Sequence, residues 1–280
     1  MPEITEAYFK SHDQHRLYYK SIKPKKPRAT LIFIHGYNEH SGRYEPVIKY
    51  FQNHYNVYLY DHRGHGRSDG VRFFAKSFDD FILDLDAFIS LVTSLEDNQE
   101  IFLVGHSMGG QILLNYLAKN NPATVTGFIT SGANITLKTK INIFKRYLTY
   151  SLAEHLPQMK VPHGLNTKWL SRDKKIVRAY NKDPLIGSSI TARLATELLH
   201  NQKTILKYAP HITLPGLMLH GGDDHICDKK GSKCFFEKLN SKDKELKIYP
   251  GFYHEIFNEI DREIVFADMA SWLKEHITNS

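Results

Sequence analysis

The chain has 280 residues, of which 41% are hydrophobic and 24% are charged, and its net charge is +7. This composition is typical of a globular protein with a sizeable core and excludes an intrinsically disordered chain. The two cysteines cannot form a disulfide framework, no apolar run reaches the ~18 residues of a membrane span, and the first residues show no signal-peptide pattern. We therefore expect a soluble, cytoplasmic protein.

Two runs of alternating polar and apolar residues open the chain, EAYFK and RLYYKSI, and predict an antiparallel hairpin at a sheet edge. Short, nearly continuous apolar runs follow, with helical periodicity between most of them. These runs are TLIFIHG, NVYLYDH, EIFLVGHS, VTGFITSG and LPGLMLHGG. Such runs are typical of strands buried on both faces, and their alternation with helices predicts a parallel α/β sheet.

The clearest helix signal follows Ser77. Apolar residues recur there with the 3.6-residue spacing of a helix face: Phe78, Phe81, Ile82, Leu85, Phe88, Ile89 and Val92. Ser77 and Asp80 resemble a capping box, which predicts that the helix begins at this point. Near the end of the chain, LKIYPG predicts a last strand and REIVFADMASWLKEHI predicts an amphipathic last helix.

The alternation of strands and helices breaks between residues 135 and 209, a basic, helix-leaning stretch without a convincing strand. We interpret 135–209 as an insertion, and 1–134 with 210–280 as the main domain. Between Thr136 and Lys182, eleven Lys and Arg residues stand against two acidic ones, a net charge of +9. This charge indicates either contact with an anionic surface or a solvated lysine-rich surface. No nucleic-acid-binding module is recognisable, so we expect no nucleic-acid partner.

The segment from Gly105 to Gly109 reads GHSMG and matches G-x-S-x-G, with an apolar strand before it and a helix after it. In this context the turn is tight enough to strain the serine backbone, and the glycines leave room for the chain. The hydroxyl of Ser107 is then raised next to a helix N-terminus, whose dipole favours developing negative charge. The pattern predicts that Ser107 is a nucleophile.

A serine nucleophile needs a base, and the base needs an orienting acid. In this class of fold the order along the chain is serine, acid, histidine. The loop after LPGLMLHGG supplies three candidate acids: Asp223, Asp224 and Asp228. Of the histidines that follow them, His225 is adjacent to the acids and His276 falls in the last helix. His254, after the last predicted strand, is the remaining candidate base.

Six ordered motifs resemble the monoacylglycerol lipases and related lysophospholipases of the α/β-hydrolase fold: HGYNEHSGRY, YDHRGHGRSDG, GHSMGG, YNKDPL, HGGDDHICD and LKIYPGFYHE. The resemblance covers residues 29–277. It implies a mostly parallel central sheet flanked by helices, with residues 135–209 as a helical cap, or lid, over an acyl-chain tunnel. It also implies that Asp224 is the acid of the triad.

The resemblance further implies an oxyanion hole made by the backbone N–H groups of Tyr37 and Met108. The bulk of the Tyr37 side chain is unusual there and could narrow the site. Four residues are implied as substrate-binding: Glu39, Arg43, His106 and Tyr180. For Glu39 and Arg43, a salt bridge that holds their loop is an equally good interpretation. Phe257 stands where mammalian relatives carry a polar histidine, which weakens the case for strict monoglyceride selectivity.

The function implied is a serine hydrolase of single-acyl lipids, with monoacylglycerol favoured. A lysophospholipase, a broad carboxylesterase and, more remotely, a non-catalytic binding protein are the alternatives. No cofactor or metal is expected, and we interpret DHRGHG (61–66) as a structural loop.

The run KINIFKRYLTYSLAEHL predicts a basic helix with an apolar face in the insertion. The predicted face comprises Ile141, Phe144, Leu148 and Leu152, and the basic residues around it are Lys140, Lys145 and Arg146. Such a helix can lie in an anionic membrane interface, or its apolar face can pack on the main domain.

Overall fold

The computed structural model of the chain describes residues 2–96, 100–139 and 142–278. The strands are β1 (Glu3–Lys10), β2 (Arg16–Lys23), β3 (Thr30–Ile34), β4 (Asn56–Tyr60), β5 (Ile101–His106), β6 (Val125–Ser131), β7 (Lys160–Pro162), β8 (Ser189–Thr191), β9 (Gly216–Gly221) and β10 (Lys244–Tyr249). The α-helices are α1 (Glu45–Phe51), α2 (Asp79–Leu95), α3 (Met108–Asn120), α4 (Ile143–His155), α5 (Lys174–Lys182), α6 (Ala192–Thr204), α7 (Lys229–Lys238) and α8 (Arg262–His276).

Eight of the strands form one sheet in the order β1-β2-β4-β3-β5-β6-β9-β10. β2 pairs antiparallel with both β1 and β4, whereas the other neighbours are parallel. The predicted edge hairpin and the predicted parallel sheet are therefore confirmed. Every residue of β3, β4, β5 and β9 is buried, because helices cover both faces of the sheet.

Two hydrophobic cores lie on the two faces of the sheet. One contains the inner faces of α2 and α3, and the other contains those of α1 and α8. All seven apolar residues predicted for the face of α2 are buried, and burial of each large side chain contributes about 1.5–3 kcal/mol. The predicted capping residues form local hydrogen bonds, since Ser77 Oγ accepts from the Asp79 N–H at 3.2 Å and Asp80 accepts from the Ser77 N–H at 3.1 Å. The helix itself begins at Asp79, with Phe78 at the N-cap.

The insertion (residues 135–209) contains α4, α5 and α6 and connects β6 to β9, which are neighbours in the sheet. The expectation that it holds no strand is wrong, because β7 and β8 pair antiparallel, with Val161 opposite Ile190. Each of these strands has only three residues, too few to show an alternating pattern. Its role as a cap stays a prediction.

The parallel strands place their carboxyl ends along one edge of the sheet, where α/β folds gather their ligand-binding loops. The loops that follow β3, β5, β9 and β10 all lie at this edge, and the insertion leaves the sheet there after β6. Each candidate residue of the predicted triad stands on one of these loops.

Candidate active site

Ser107 lies at the junction of β5 and α3, and its backbone has the predicted strain, with φ +52° and ψ −115°. Glycine is required at positions 105 and 109, on either side of Ser107, because other backbone atoms approach both positions closely. A Cβ atom at Gly105 would lie 2.7 Å from the carbonyl oxygen of Gly109, and one at Gly109 would overlap the carbonyl oxygen of Ile34. Helix α3 begins directly after Ser107, and the N–H groups of its first turn have no intrahelical partner.

Asp224 follows β9 and is buried. One carboxylate oxygen, Oδ1, accepts from the backbone N–H groups of Ile226 at 2.7 Å and Cys227 at 2.9 Å. The other, Oδ2, lies 2.7 Å from Nδ1 of His254. Burial alone would raise the pKa of Asp224, but the charge of His254 and the hydrogen bonds from His220 and His254 outweigh it and hold that pKa well below its usual range. Asp224 is thus an anion that fixes the histidine ring.

The two other candidate acids have different surroundings. Asp223 is exposed, and Asp228 caps α7 by accepting from the Lys230 N–H at 3.0 Å. The structure therefore brings only Asp224, of the three, into contact with His254.

His254 is buried, and its Nδ1 donates to Asp224, which leaves Nε2 as the basic atom. Burial lowers the pKa of His254, but the neighbouring Asp224 carboxylate reverses the effect, and the net pKa lies above 6.5. Its ring packs on that of His106, with centroids 4.8 Å apart, and His106 directly precedes Ser107. The insertion holds this loop through the backbone, since the Glu255 N–H donates to the carbonyl of Leu170 at 2.8 Å.

The loop after β3 (residues 35–40, the β3 loop) passes close to the serine: a Cβ atom at Gly36 would lie 3.1 Å from that of Ser107. The backbone N–H of Tyr37 donates to no group among the residues that the structure describes. Met108 is the first residue of α3, so its N–H is also without an intrahelical partner. These are the two donors predicted for the oxyanion hole.

The Tyr37 side chain contacts the insertion. Its hydroxyl donates to the carbonyl of Ser189 at 2.9 Å, and its ring packs edge-on against His65, Phe73 and His163. The bulk that was expected to narrow the site thus fills the contact between the β3 loop and the insertion.

Glu39 and Arg43 form a salt bridge, which is one of the two interpretations that the sequence allows for them. Arg43 donates to Glu39 at 3.1 Å and to both carboxylate oxygens of Glu255, at 2.6 and 2.7 Å. Glu39 also accepts from the N–H of Gly36 and from the hydroxyl of Tyr44. This buried network joins the β3 loop to the loop of His254. Direct contact of Glu39 or Arg43 with substrate stays a prediction.

The acidic partners of Arg43 differ in their pKa. Burial would raise the pKa of Glu255, but its bidentate pairing with Arg43 lowers it to about 2. Burial raises the pKa of Glu39, because its single hydrogen bond to the shared guanidinium does not offset the loss of solvent. At neutral pH, Glu255 is therefore the firmly charged partner.

A cavity of about 10 Å³ lies inside this network and is lined by Glu39, Arg43, Tyr44, His106, Glu255, Phe257 and Asn258. That volume holds about one water molecule. A glycerol cannot enter unless these side chains move. Tyr180 lies outside this cavity: its ring covers the Arg43 guanidinium at 4.7 Å, and it lines an outer groove of about 390 Å³. Substrate contact by His106 or Tyr180 stays a prediction.

One residue near the triad was not predicted from the sequence. His220 is fully buried on β9, with Nε2 3.3 Å from Asp224 Oδ2 and Nδ1 2.8 Å from Ser232 Oγ. Its position at the end of a strand, four residues before the acid, was the available signal. Cys227 is also buried: burial raises the pKa of its thiol, Asp224 raises it further, and a hydrogen bond with the Ser107 side chain opposes both.

The histidines of the DHRGHG loop lie behind the β3 loop. His62 donates from Nε2 to the carbonyl of His35 at 2.8 Å, and His65 contacts the Arg63 carbonyl through Nδ1 at 3.0 Å. Burial lowers the pKa of His62 to about 3 and that of His65 to about 4, so both rings are neutral. These contacts support the interpretation of a structural loop.

Comparison with known proteins gives consistent matches. The sequence model of the family described as "Serine aminopeptidase, S33" (Hydrolase_4) matches residues 25–261. A monoacylglycerol lipase of Mycolicibacterium smegmatis is 32% identical over 253 residues, 90% of each chain. Phospholipase YtpA of Bacillus subtilis is 29% identical, over 91% of this chain and 98% of that protein. The crystal structure of a soluble variant of Saccharomyces cerevisiae monoglyceride lipase, with a substrate analogue, superposes with a TM-score of 0.86 at 28% identity, covering 100% of this chain and 96% of that one.

Proposed function

Because the chain belongs to the Hydrolase_4 family of serine hydrolases and has the α/β-hydrolase fold, we propose that it hydrolyses esters of single-acyl lipids through an acyl-enzyme on Ser107. The observation that carries the proposal is the buried pair of Asp224 and His254, 2.7 Å apart. The His254 ring packs on that of His106, the residue directly before the strained Ser107. A charged acid that orients a histidine next to a raised hydroxyl is the arrangement that activates a serine.

In the proposed reaction, Nε2 of His254 takes the proton of Ser107 Oγ as the oxygen attacks the ester carbonyl. The oxyanion that forms accepts hydrogen bonds from the N–H groups of Tyr37 and Met108. His254 then gives its proton to the departing alcohol, which leaves the acyl group on the serine. A water molecule loses a proton to His254 and attacks the acyl-enzyme. The acyl–Oγ bond then breaks, His254 returns the proton to Ser107 Oγ, and the fatty acid is released. Asp224 stays ionised throughout.

Monoacylglycerol is the favoured substrate, because two of the similar proteins are named for that activity. A lysophospholipid is the second candidate. The phospholipase name of the Bacillus subtilis relative and the +9 charge of residues 136–182 favour it.

The test is hydrolysis of 1-acylglycerols, lysophosphatidylcholine and short p-nitrophenyl esters, together with labelling by a fluorophosphonate. We expect one fluorophosphonate adduct on Ser107 by mass spectrometry, none on Ser107→Ala, and the highest kcat/KM on a 1-acylglycerol. Wild-type protein that is folded but neither labelled nor active on any of these esters would overturn the proposal. A higher kcat/KM on lysophosphatidylcholine would replace monoacylglycerol with the second candidate.

Contact with the lipid surface is proposed through α4. Four of its large hydrophobic side chains are more than half exposed: Ile143, Phe144, Tyr147 and Leu148. Lys145 and Arg146 stand among them, and basic residues beside an apolar face favour an anionic interface. Of the predicted face, Leu152 is half-buried and Ile141 lies outside the described residues, as does Lys140, one of the predicted basic residues. Among the residues that the structure describes, no helix is both long enough and apolar enough to cross a bilayer.

Sedimentation with vesicles that contain anionic phospholipid tests this contact. Phe144→Asp should lower the bound fraction severalfold, while activity on a soluble p-nitrophenyl ester is kept. Leu83→Asp, at an exposed leucine of α2, is the matched control and should bind as the wild type does. Equal binding of all three proteins would refute the role of α4.

A further inference from the structure

The β3 loop and the insertion are joined by hydrogen bonds at three residues. The Tyr37 hydroxyl donates to the carbonyl of Ser189, and His40 Nε2 lies 2.8 Å from Asp183 Oδ2. Between them, Asn38 makes the largest number of these bonds. The loop that carries one predicted oxyanion donor is therefore held by a segment that follows it by more than 140 residues.

Asn38 is completely buried and has a left-handed backbone, with φ +57°. Its side-chain amide pairs with Gly187 as a peptide group would, because Nδ2 donates to the Gly187 carbonyl and Oδ1 accepts from the Gly187 N–H, both at 2.8 Å. Nδ2 also donates to the Tyr180 hydroxyl at 2.8 Å, and that hydroxyl donates back to the Asn38 carbonyl at 3.0 Å. Asparagine tolerates the left-handed region better than most residues. Of the residues that do so, glycine, aspartate and asparagine, only asparagine has a side-chain amide with both donors and an acceptor.

The orientation of the Tyr37 N–H depends on the groups on either side of it. Before it, the Gly36 N–H is held by the Glu39 carboxylate, and the Gly36 carbonyl, which shares a peptide group with the Tyr37 N–H, lies 2.7 Å from Nδ1 of His35. After it, Asn38 is held by Gly187 and Tyr180. With both neighbours fixed, the Tyr37 peptide has little freedom to rotate, and an oxyanion donor is effective only when its direction is set before the reaction.

We propose that Asn38 is a positioning residue that uses the insertion to set the direction of the Tyr37 N–H. The inference rests on the proposed function, since it assumes that this N–H stabilises the oxyanion. Residues 180–189 of the insertion are then part of the catalytic framework, and their contact with the β3 loop determines the rate of the chemical step.

The test compares Asn38→Gly with the wild type on a soluble p-nitrophenyl ester. Glycine adopts φ +57° without strain, so the variant keeps the backbone and loses every side-chain bond to the insertion. We expect kcat to fall by about 10- to 100-fold with little change in KM, as expected for a donor that is misdirected in the transition state. Affinity for a trifluoromethyl ketone, which forms a tetrahedral adduct with the serine, should fall by the same factor as kcat/KM.

Gln14→Gly is the matched control, because Gln14 also has a positive φ, +70°, and is exposed on the hairpin between β1 and β2. It should leave both constants unchanged. Asn38→Asp, which keeps the acceptor for the Gly187 N–H but loses both donors, should lower kcat as well. A folded Asn38→Gly variant with wild-type kcat, or one in which KM alone changes, would overturn the inference. Wild-type protein without Ser107 labelling would overturn the proposed function and this inference with it.

Discussion

Replacing Glu255 by Gln should destabilise the protein strongly, although the two side chains have nearly the same shape. Glu255 is buried and receives two hydrogen bonds from Arg43 and one from Asn258, at 3.0 Å. The substitution removes the negative charge that compensates the guanidinium. Breaking a buried pair from one side leaves an uncompensated buried charge, which costs about 3–5 kcal/mol. Because Arg43 keeps Glu39 as a partner, we expect the lower end of that range.

The pKa of Glu255 leads to the same magnitude. A carboxyl group whose pKa falls from 4.5 in the unfolded chain to about 2 in the folded protein contributes about 3 kcal/mol at neutral pH. Because the folded pKa is the lower one, this stability is fully present above pH 4.5 and is lost as the pH falls towards 2. At pH 3 about half of it remains.

Unfolding by urea and by heat, each followed by circular dichroism, tests the predicted loss of stability and its pH dependence. At pH 7, Glu255→Gln should lower the free energy of unfolding by about 3 kcal/mol and the Tm by about 5 °C. At pH 3 the difference in free energy should shrink to about half. Glu45→Gln is the control: Glu45 pairs with Lys49 on the surface of α1, with half of its side chain exposed, and should change stability by less than about 0.5 kcal/mol. A pH-independent difference, or one below about 1 kcal/mol at pH 7, would refute the reasoning.

Three further predictions concern the site itself. Because His254 must be neutral to accept a proton and Asp224 raises its pKa above 6.5, kcat/KM should fall at low pH with a midpoint above 6.5. Asp224→Asn should lower both that midpoint and kcat, and a wild-type midpoint below about pH 6 would contradict the prediction. Phe257→His, which puts a polar group at the small cavity, should raise kcat/KM for 1-acylglycerols relative to a p-nitrophenyl ester, and an unchanged ratio would argue against a role of this cavity in alcohol selectivity. Bulky thiol reagents should react quickly at the exposed Cys234 without changing the activity, and slowly at the buried Cys227 with loss of activity. Retained activity after full alkylation of both cysteines would refute this prediction.

The parts of the fold that depend on local pattern were predictable. The strands of the sheet are recognisable in the sequence as apolar runs, and the GHSMG segment marks the tight turn between a strand and a helix. Each of these features is specified by neighbours in the chain. Gly105, for example, is required by the tight turn itself, because a Cβ atom there would lie 2.7 Å from the carbonyl oxygen of Gly109. Patterns of this kind require no knowledge of tertiary contacts.

The interactions that hold the candidate site together were less accessible, because they join residues far apart in the sequence. Glu255 contacts Arg43 across 212 positions, and Asn38 contacts Tyr180 across 142. In the sequence, Glu255 is an ordinary acidic residue after a histidine, and nothing nearby indicates that it is buried. The short strands β7 and β8 were missed for the same reason, since their pairing is determined by the fold of the insertion and not by their own residues.

The contacts of the insertion also indicate which part of it can move when substrate enters. Its segment from residue 166 to 191 is bonded to the catalytic loops at several points, among them Leu170 to Glu255, Ser171 to Asn258, and the contacts of Asn38. Helix α4 packs chiefly on α6, within the insertion, and only Ala153 of its residues is buried. A displacement of α4 therefore breaks few contacts, whereas a displacement of residues 180–189 would also move the β3 loop. Since α4 is the helix that we propose to contact lipid, this arrangement would allow the proposed substrate to enter beside α4 while the backbone N–H groups proposed as oxyanion donors stay in place.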